Sequence, residues 1–162
     1  MKKILLVLVS LFTLGVSTGF AAPINELQVT QTAVGLGSDT FYLEHKFTDN
    51  FILGFQNDDW GNGNTSDIYG QFKFSSNLRG IVGSRNFDSG SETYLGLAVN
   101  GPLAPECQGY ASLIGGNGFK ELRVGANFSL SSNVDLNLDY HSFMPDVGGN
   151  TSDVGIGATY KF

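Results

Sequence analysis

The sequence predicts an all-β fold, a closed antiparallel up-and-down transmembrane β-barrel of about ten strands, with eight strands as the alternative. Apolar and polar residues alternate along most of the chain, and turn residues interrupt the alternation. After the first 21 residues, no segment keeps a 3.6-residue period or holds an apolar run long enough to cross a bilayer as a helix. A tight turn recurs at an interval of about 27 residues, one hairpin apart, so a single domain is expected.

The candidate strands are joined by tight turns of related sequence. Residues 47–51, 74–78 and 130–134 are three copies of one turn that contains Asn, whose side chain tolerates left-handed backbone. Residues 100–103 take the corresponding place in a fourth hairpin link. Ten strands satisfy the even number expected of a bacterial barrel. The candidate strands are 27–36, 39–47, 51–57, 67–74, 78–87, 92–99, 106–114, 119–130, 133–143 and 152–162.

The final strand separates apolar from polar side chains. Val154, Ile156, Ala158, Tyr160 and Phe162 occupy one face, and mainly Gly and polar residues occupy the other. This ending resembles the C-terminal strand of bacterial outer-membrane β-barrel proteins of the porin-like superfamily, whose terminal aromatic residue looks like an assembly signal. The resemblance implies an outer-membrane location, contact with outer-membrane lipids and recognition of this strand by the barrel-assembly machinery.

The amino-terminal residues have the pattern of a secretory signal peptide. Two lysines precede an apolar run from Ile4 to about Val16, and small residues follow. The run is too short to span a bilayer. Cleavage is expected after Ala21, with Ala22 as the alternative. The leader would then be residues 1–21, and the barrel residues 22–162, exported to the outer membrane of a bacterium with two membranes.

Charge and cysteine content narrow the function classes. Without the leader the chain keeps seven basic and 15 acidic residues, a net charge near −8. Such a chain lacks the basic face that binding to nucleic acid requires. Cys107 is the single cysteine, so an internal disulfide is excluded, and a shielded thiol is expected in an oxidising compartment.

The lengths of the connections predict an orientation. The stretches 57–66 and 144–151 are read as longer loops, rich in Asp, Gly and Asn, on the side opposite the tight turns. Short turns on one side and longer loops on the other match the periplasmic and extracellular ends of a barrel. Aromatic residues near the tight turns are expected to form a girdle at the inner membrane interface. This girdle is Phe47, Phe51, Phe72, Phe74, Phe128, Tyr160 and Phe162.

Strand parity places most charged side chains inside the barrel. Lys46, Lys73, Arg79 and Lys161 lie near the tight turns and are predicted to form a luminal basic collar at the periplasmic mouth. The acidic partners expected in the lumen are Glu44, Asp135 and Asp139. Acidic residues near the outer loops, Asp67 among them, have no basic residue nearby in sequence, so a charge separation along the barrel axis is expected.

The collar supports two interpretations. It could give a narrow passive channel for small solutes or ions a preference for anions, or it could pair with the carboxylates and fill the lumen. Eight strands enclose a lumen just filled by side chains, whereas open porins need 16 or more, so ten strands favour a filled or very narrow lumen. Small residues at inward positions, such as Gly83 and Gly125, argue the other way, and the alternatives stay open.

Two other functions are weighed against the porin-like barrel. A surface-exposed binding or adhesion protein would use contact residues of the outer loops, for which the candidates are Asp58, Asp59, Trp60 and Asp146. A hydrolase, the weakest alternative, would centre on Asp139 and His141; His141 and Ser142 point to opposite faces of one strand. No catalytic residue, cofactor or metal site is predicted, because no ligand cluster has suitable spacing.

Overall fold

The computed structural model describes residues 22–59 and 63–162, and the predicted signal peptide lies outside these ranges. No helix among them is long and apolar enough to cross a membrane. They form ten antiparallel strands joined in sequence order into a closed barrel, as predicted. The strands are β1 (Thr32–Gly37), β2 (Thr40–Thr48), β3 (Phe51–Asp59), β4 (Asn64–Lys73), β5 (Leu78–Phe87), β6 (Gly90–Ala104), β7 (Cys107–Gly116), β8 (Phe119–Ser129), β9 (Val134–Pro145) and β10 (Thr151–Lys161).

The last strand closes the barrel against the first. The β1–β10 register runs from Ala33 opposite Lys161 to Gly37 opposite Gly157. Thr32 and Phe162 exchange two backbone hydrogen bonds of 2.8 and 2.9 Å, so the terminal residue is still paired. Closure leaves no strand edge exposed, which removes the hazard of edge-to-edge aggregation.

The two ends of the barrel differ less than the sequence indicated. We call the end where β1 begins and β10 finishes the terminal mouth, and the opposite end the distal mouth. Residues 57–59 and 64–66 belong to β3 and β4, so the connection expected at 57–66 is only 60–63. The longest distal connection is 146–150. The expected contrast in loop length is therefore small, because these polar residues extend the strands rather than leave them.

Two strand boundaries also need correction. Residues 27–31, expected to begin the first strand, precede β1. Residues 100–103, expected to form a turn, lie in β6, where Pro102 is opposite Gln108 and the register shifts before Ala104. A proline, which has no N–H to donate, suits this irregular end of the ladder. Cys107 begins β7 as a half-buried free thiol.

The distribution of side chains is inverted relative to a water-soluble protein. Leu95 on the outer face is 69% exposed, whereas Arg79 on the inner face is 0% exposed. Large apolar residues are exposed on the outside of every strand from β1 to β10, and charged and amide side chains fill the inside. This is the arrangement of a transmembrane barrel. The residues assigned to the girdle lie partly or fully exposed on the outer face, with ring centroids 4.8 Å apart for Phe51 and Phe72 and 5.9 Å apart for Tyr160 and Phe162.

Inward tyrosines fill the lumen by lying over glycines of the neighbouring strand. Each of four tyrosines is directly opposite a glycine in register, and the ring occupies the space that a Cβ on that glycine would need. The small inward residues that argued for an open lumen are thus partners of large ones. The pairs are Tyr42 with Gly35, Tyr69 with Gly54, Tyr94 with Gly83 and Tyr110 with Gly125.

Gly35→Ala is expected to destabilise the barrel by about 1–3 kcal/mol, because overpacking forces neighbouring groups to shift. A Cβ on Gly35 would lie 1.9 Å from the Tyr42 ring. Gly115→Ala is the matched control in β7, because its Cβ would meet neighbouring atoms at an ordinary 3.8 Å. The measurement is urea unfolding in lipid vesicles. Equal midpoints for the two variants would show that Tyr42 moves aside without cost.

Candidate functional site

A stretch of chain lies inside the barrel. Residues 22–31, which we call the luminal segment, lead from the lumen to β1: residues 22–27 lie in the lumen, and residues 28–30 are exposed at the terminal mouth. Ala22, Ile24, Asn25 and Leu27 are all buried there. The parity of the strands predicted a polar lumen, but it carried no signal that a peptide occupies it.

The barrel wall binds the backbone of the luminal segment. Four of its carbonyl oxygens accept hydrogen bonds from wall side chains, at successive levels between the middle of the barrel and the terminal mouth. Because a buried carbonyl needs a partner, these donors fix the segment in one register. Arg123 Nη1 donates to Ala22 O at 2.5 Å, Asn127 Nδ2 to Ile24 O at 3.0 Å, Arg79 Nη1 to Asn25 O at 2.8 Å and Lys46 Nζ to Leu27 O at 2.8 Å.

Glu26 is the charged anchor of the luminal segment. Its carboxylate forms ion pairs with Lys73 at 2.8 Å and with Arg79, and it accepts a hydrogen bond of 2.7 Å from Asn100 Nδ2. Burial raises the pKa of Glu26, but Arg79 and Lys73 outweigh burial and hold this pKa below its ordinary value. The carboxylate is therefore ionised at neutral pH and attracts the segment to the basic wall.

Three of the four residues assigned to the basic collar contact the luminal segment. Lys46 binds its backbone, Lys73 binds Glu26, and Arg79 binds both. Lys161 instead pairs with Asp135 at 2.8 Å. The collar thus surrounds a peptide. Neither interpretation from the sequence, a channel filled with water or a lumen filled by pairing with wall carboxylates, included such a peptide.

The other two acidic candidates form no ion pair with a basic residue of the described chain. Glu44 is fully buried and accepts hydrogen bonds from Asn25, Tyr69 and Gln71, at 2.7, 2.9 and 2.7 Å. Asp139 is also buried, and neither of its oxygens has a hydrogen-bond partner in the described part of the chain. The expectation that both pair with collar residues is wrong, because the collar bases are engaged at the terminal mouth.

A separate network of charges fills the distal half. Arg85 forms ion pairs with Asp67 at 2.8 Å and with Glu121 at 2.5 Å, and Arg123 pairs with Glu121 at 2.6 Å. His141 Nε2 lies 3.6 Å from Glu121. Asp67 therefore has a basic partner after all, and positive charge is not confined to the terminal mouth. The charge separation along the axis is therefore smaller than expected, because register brings Arg85 opposite Asp67.

Aromatic rings cover this network on the distal side. Phe119 lies 5.7 Å from Phe87 and 5.5 Å from Phe143 between ring centroids, and the guanidinium of Arg85 lies 4.9 Å from the Phe119 centroid. A cavity of about 40 Å³ is lined by Ala22 and by the network side chains of Asp67, Arg85 and Glu121. A cavity of this size holds only a few water molecules. The lumen is thus filled by the luminal segment in its terminal half and by salt bridges and aromatic rings in its distal half.

The residues proposed for contact at the outer loops are scattered. Asp58 lies in β3, buried in the lumen, where it accepts hydrogen bonds from Thr40 and Gln56, so its assignment to a loop is wrong. Asp59 ends β3 on the exposed face, and Asp146 is exposed in the connection 146–150. Trp60 lies outside the described residues. The structure does not bring the three described candidates, Asp58, Asp59 and Asp146, together into one surface.

The candidate hydrolase residues do not form a nucleophile–base pair. His141 is buried in the lumen, whereas Ser142 points away from it and its hydroxyl lies 3.0 Å from that of Ser152. Within residues 22–59 and 63–162, no three His, Cys, Asp or Glu side chains are grouped as metal ligands.

No protein-family model matches the sequence, and no curated protein matches it. The fold is similar to solved barrels at low identity. A de novo designed transmembrane β-barrel is 19% identical over 85% of this chain and 100% of its own, with a TM-score of 0.44. The N-terminal barrel domain of Pseudomonas aeruginosa OprF is 14% identical over 83% of this chain and 98% of its own, with a TM-score of 0.42. The KdgM porin in complex with disordered oligogalacturonate is 10% identical over 82% of this chain and 98% of its own, with a TM-score of 0.48. With TM-scores below 0.5, function has to be inferred from this chain's own residues.

Proposed function

We propose that the protein is an integral outer-membrane β-barrel, exported through a cleaved leader, whose porin-like lumen is closed by its own luminal segment. The apolar outer face and the aromatic girdle suit a lipid environment. The signal-peptide pattern and the resemblance of the last strand support export and assembly at the outer membrane, with the barrel-assembly machinery and lipids as partners. The terminal mouth then faces the periplasm.

The observation that carries this proposal is the seating of residues 22–31 among the collar residues. The peptide contributes one carboxylate to a wall of lysine and arginine side chains, and the wall contributes donors to its carbonyls. Up to Leu27 these contacts are made by side chains of the wall, and the backbone hydrogen bonds to Lys46 come from Thr30 and Gln31. Residues 22–29 can therefore leave without unpairing any strand, and a passive channel would open where they lay.

Removing residues 22–29 is expected to convert a nearly silent barrel into one that conducts ions in planar bilayers. Thr30 and Gln31 are retained, because they form backbone hydrogen bonds with Lys46 at 2.8 and 3.0 Å. The full mature chain should give at least about tenfold less current, as expected if its docked form is favoured by more than 1.4 kcal/mol. Removing residues 147–149 from the exposed distal connection is the control and should leave the current low.

The basic collar, once freed of the luminal segment, predicts the ion selectivity of the open channel. Without the luminal segment, Lys46, Lys73 and Arg79 face the passage, so the shortened barrel should prefer anions, and Lys73→Glu should shift the reversal potential toward cations. A shortened barrel that folds, shown by heat-modifiable migration on gels, but passes no current would contradict the proposal. The function would then be binding or structural.

A further inference from the structure

Ala22 is held at both of its backbone groups by buried side chains of the wall. Its nitrogen donates to Gln56 Oε1 at 3.0 Å, and its carbonyl accepts from Arg123 Nη1 at 2.5 Å. Gln56 and Arg123 lie on β3 and β8, and both are more than nine-tenths buried. The other hydrogen bonds between wall side chains and the backbone of the luminal segment go to carbonyls, so Ala22 has the one backbone nitrogen of the described segment that a wall side chain binds.

The acceptor facing Ala22 is fixed in its orientation. The amide nitrogen of Gln56 donates to Asp58, and the hydroxyl of Thr40 donates to the other oxygen of the same carboxylate. An amide that donates through its nitrogen must present its oxygen in the other direction, toward Ala22. Asp58 therefore places a negative charge directly behind the oxygen that binds the Ala22 nitrogen.

The distal half of the lumen has a surplus of acidic groups. Its described wall carries four carboxylates against two guanidinium groups, and two of these carboxylates, Asp58 and Asp139, form no ion pair with described residues. Buried carboxylates without a counter-charge are costly, so one additional cation near Asp58 would be favourable. The groups concerned are Asp58, Asp67, Glu121 and Asp139 with Arg85 and Arg123.

We propose that Gln56 and Asp58 form a socket for the α-ammonium group of the mature protein, with Arg123 holding the adjacent carbonyl of Ala22, and that signal-peptide cleavage creates the ligand of this socket. This inference rests on the proposed closing of the lumen by the luminal segment. Cleavage after Ala21 turns the amide nitrogen of Ala22 into an amine whose pKa of about 7.7–8.0 keeps it charged at neutral pH. The cavity of about 40 Å³ beside Ala22 leaves room to hydrate the remaining N–H groups. Processing therefore locks the segment in the lumen, and an unprocessed chain lacks the charge that the socket binds.

The test measures how fast the α-amine of folded protein starting at Ala22 reacts with an amine-acylating reagent at pH 7. At this pH the α-amine reacts faster than the lysine side chains because its pKa is lower. Mass spectrometry of the amino-terminal peptide measures the acylation of the α-amine separately from that of the lysines. The folded protein should react at least about tenfold more slowly than the urea-unfolded protein, which corresponds to about 1.4 kcal/mol. Asp58→Asn should remove most of this protection. Asp59→Asn, which changes the adjacent exposed carboxylate of β3, is the control and should keep it.

A chain that retains Ala21 tests the socket without altering the wall. Its α-amine is displaced by one residue, so it should react rapidly and its bilayer current should rise above that of the chain starting at Ala22. Rapid reaction of the Ala22 amine in a barrel that conducts no current would overturn the proposed socket but not the proposed closed lumen. High current through the chain starting at Ala22 would instead contradict the closed lumen itself. Terminal sequencing of exported protein that begins at Pro23 would also overturn the socket.

Discussion

Arg85→Ala is expected to lower the free energy of unfolding by about 3–5 kcal/mol, because it leaves the buried carboxylate of Asp67 without a counter-charge and Glu121 with Arg123 as its remaining ion-pair partner. Arg85 is 1% exposed and holds Asp67 through three hydrogen bonds between 2.8 and 3.0 Å as well as Glu121 at 2.5 Å. It also supports the aromatic ring of Phe119. Urea unfolding in vesicles, followed by the gel shift between folded and unfolded barrel, measures the loss.

Two comparisons identify the cause of that loss. Lys120→Ala removes a basic residue from the exposed face of β8 and should change stability by no more than about 0.5 kcal/mol. A double variant, Arg85→Met with Asp67→Asn, removes one positive and one negative charge together and keeps the Glu121–Arg123 ion pair. It should be more stable than Arg85→Ala alone, since replacing a buried ion pair is less costly than breaking it. A double variant as unstable as the single one would assign the effect to lost packing instead.

The strands were predictable because alternation is a local property. In β10, the period of two sorts Tyr160 outward and Lys161 inward without any knowledge of the neighbours. The same rule failed at residues 27–31, where Leu27 and Val29 alternate with polar residues as a strand would. The carbonyl of Leu27 accepts from the side chain of Lys46, and pairing with the backbone of β2 begins only at Thr30 and Gln31. Local periodicity carries no information on such tertiary contacts.

The partners of the luminal charges depended on register and were not predictable. Asp67 and Arg85 are 18 residues apart and meet because the turn between β4 and β5 sets them opposite each other. Glu26 meets Arg79 only because the luminal segment folds back into the barrel. Parity placed the wall side chains inside the lumen, but a one-residue change of register would alter every pair.

Glu26→Gln is expected to weaken the seating of the luminal segment by about 1–2 kcal/mol and to raise the bilayer current roughly tenfold. The expected loss of docking free energy is small because the Glu26 side chain is 38% exposed at the terminal mouth, where solvent screens its ion pairs with Lys73 and Arg79. The amide of the variant still accepts a hydrogen bond from Asn100, so the change removes mainly charge. Single-channel recording at pH 7 measures the current of the variant against that of the wild type.

Acidification should open the wild-type lumen through the same group. Burial raises the pKa of Glu26, but the charges of Arg79 and Lys73 and the hydrogen bonds of Lys73 and Asn100 lower it below its ordinary value of 4.5. A group whose pKa is lower when docked stabilises the docked form above the undocked pKa, and this stabilisation is lost as the pH falls through the docked pKa. The current should therefore stay low from pH 7 to about 5 and rise below pH 4.5, while Glu26→Gln should show no such step. A step of the same size in Glu26→Gln would assign the acid opening to another carboxylate of the lumen.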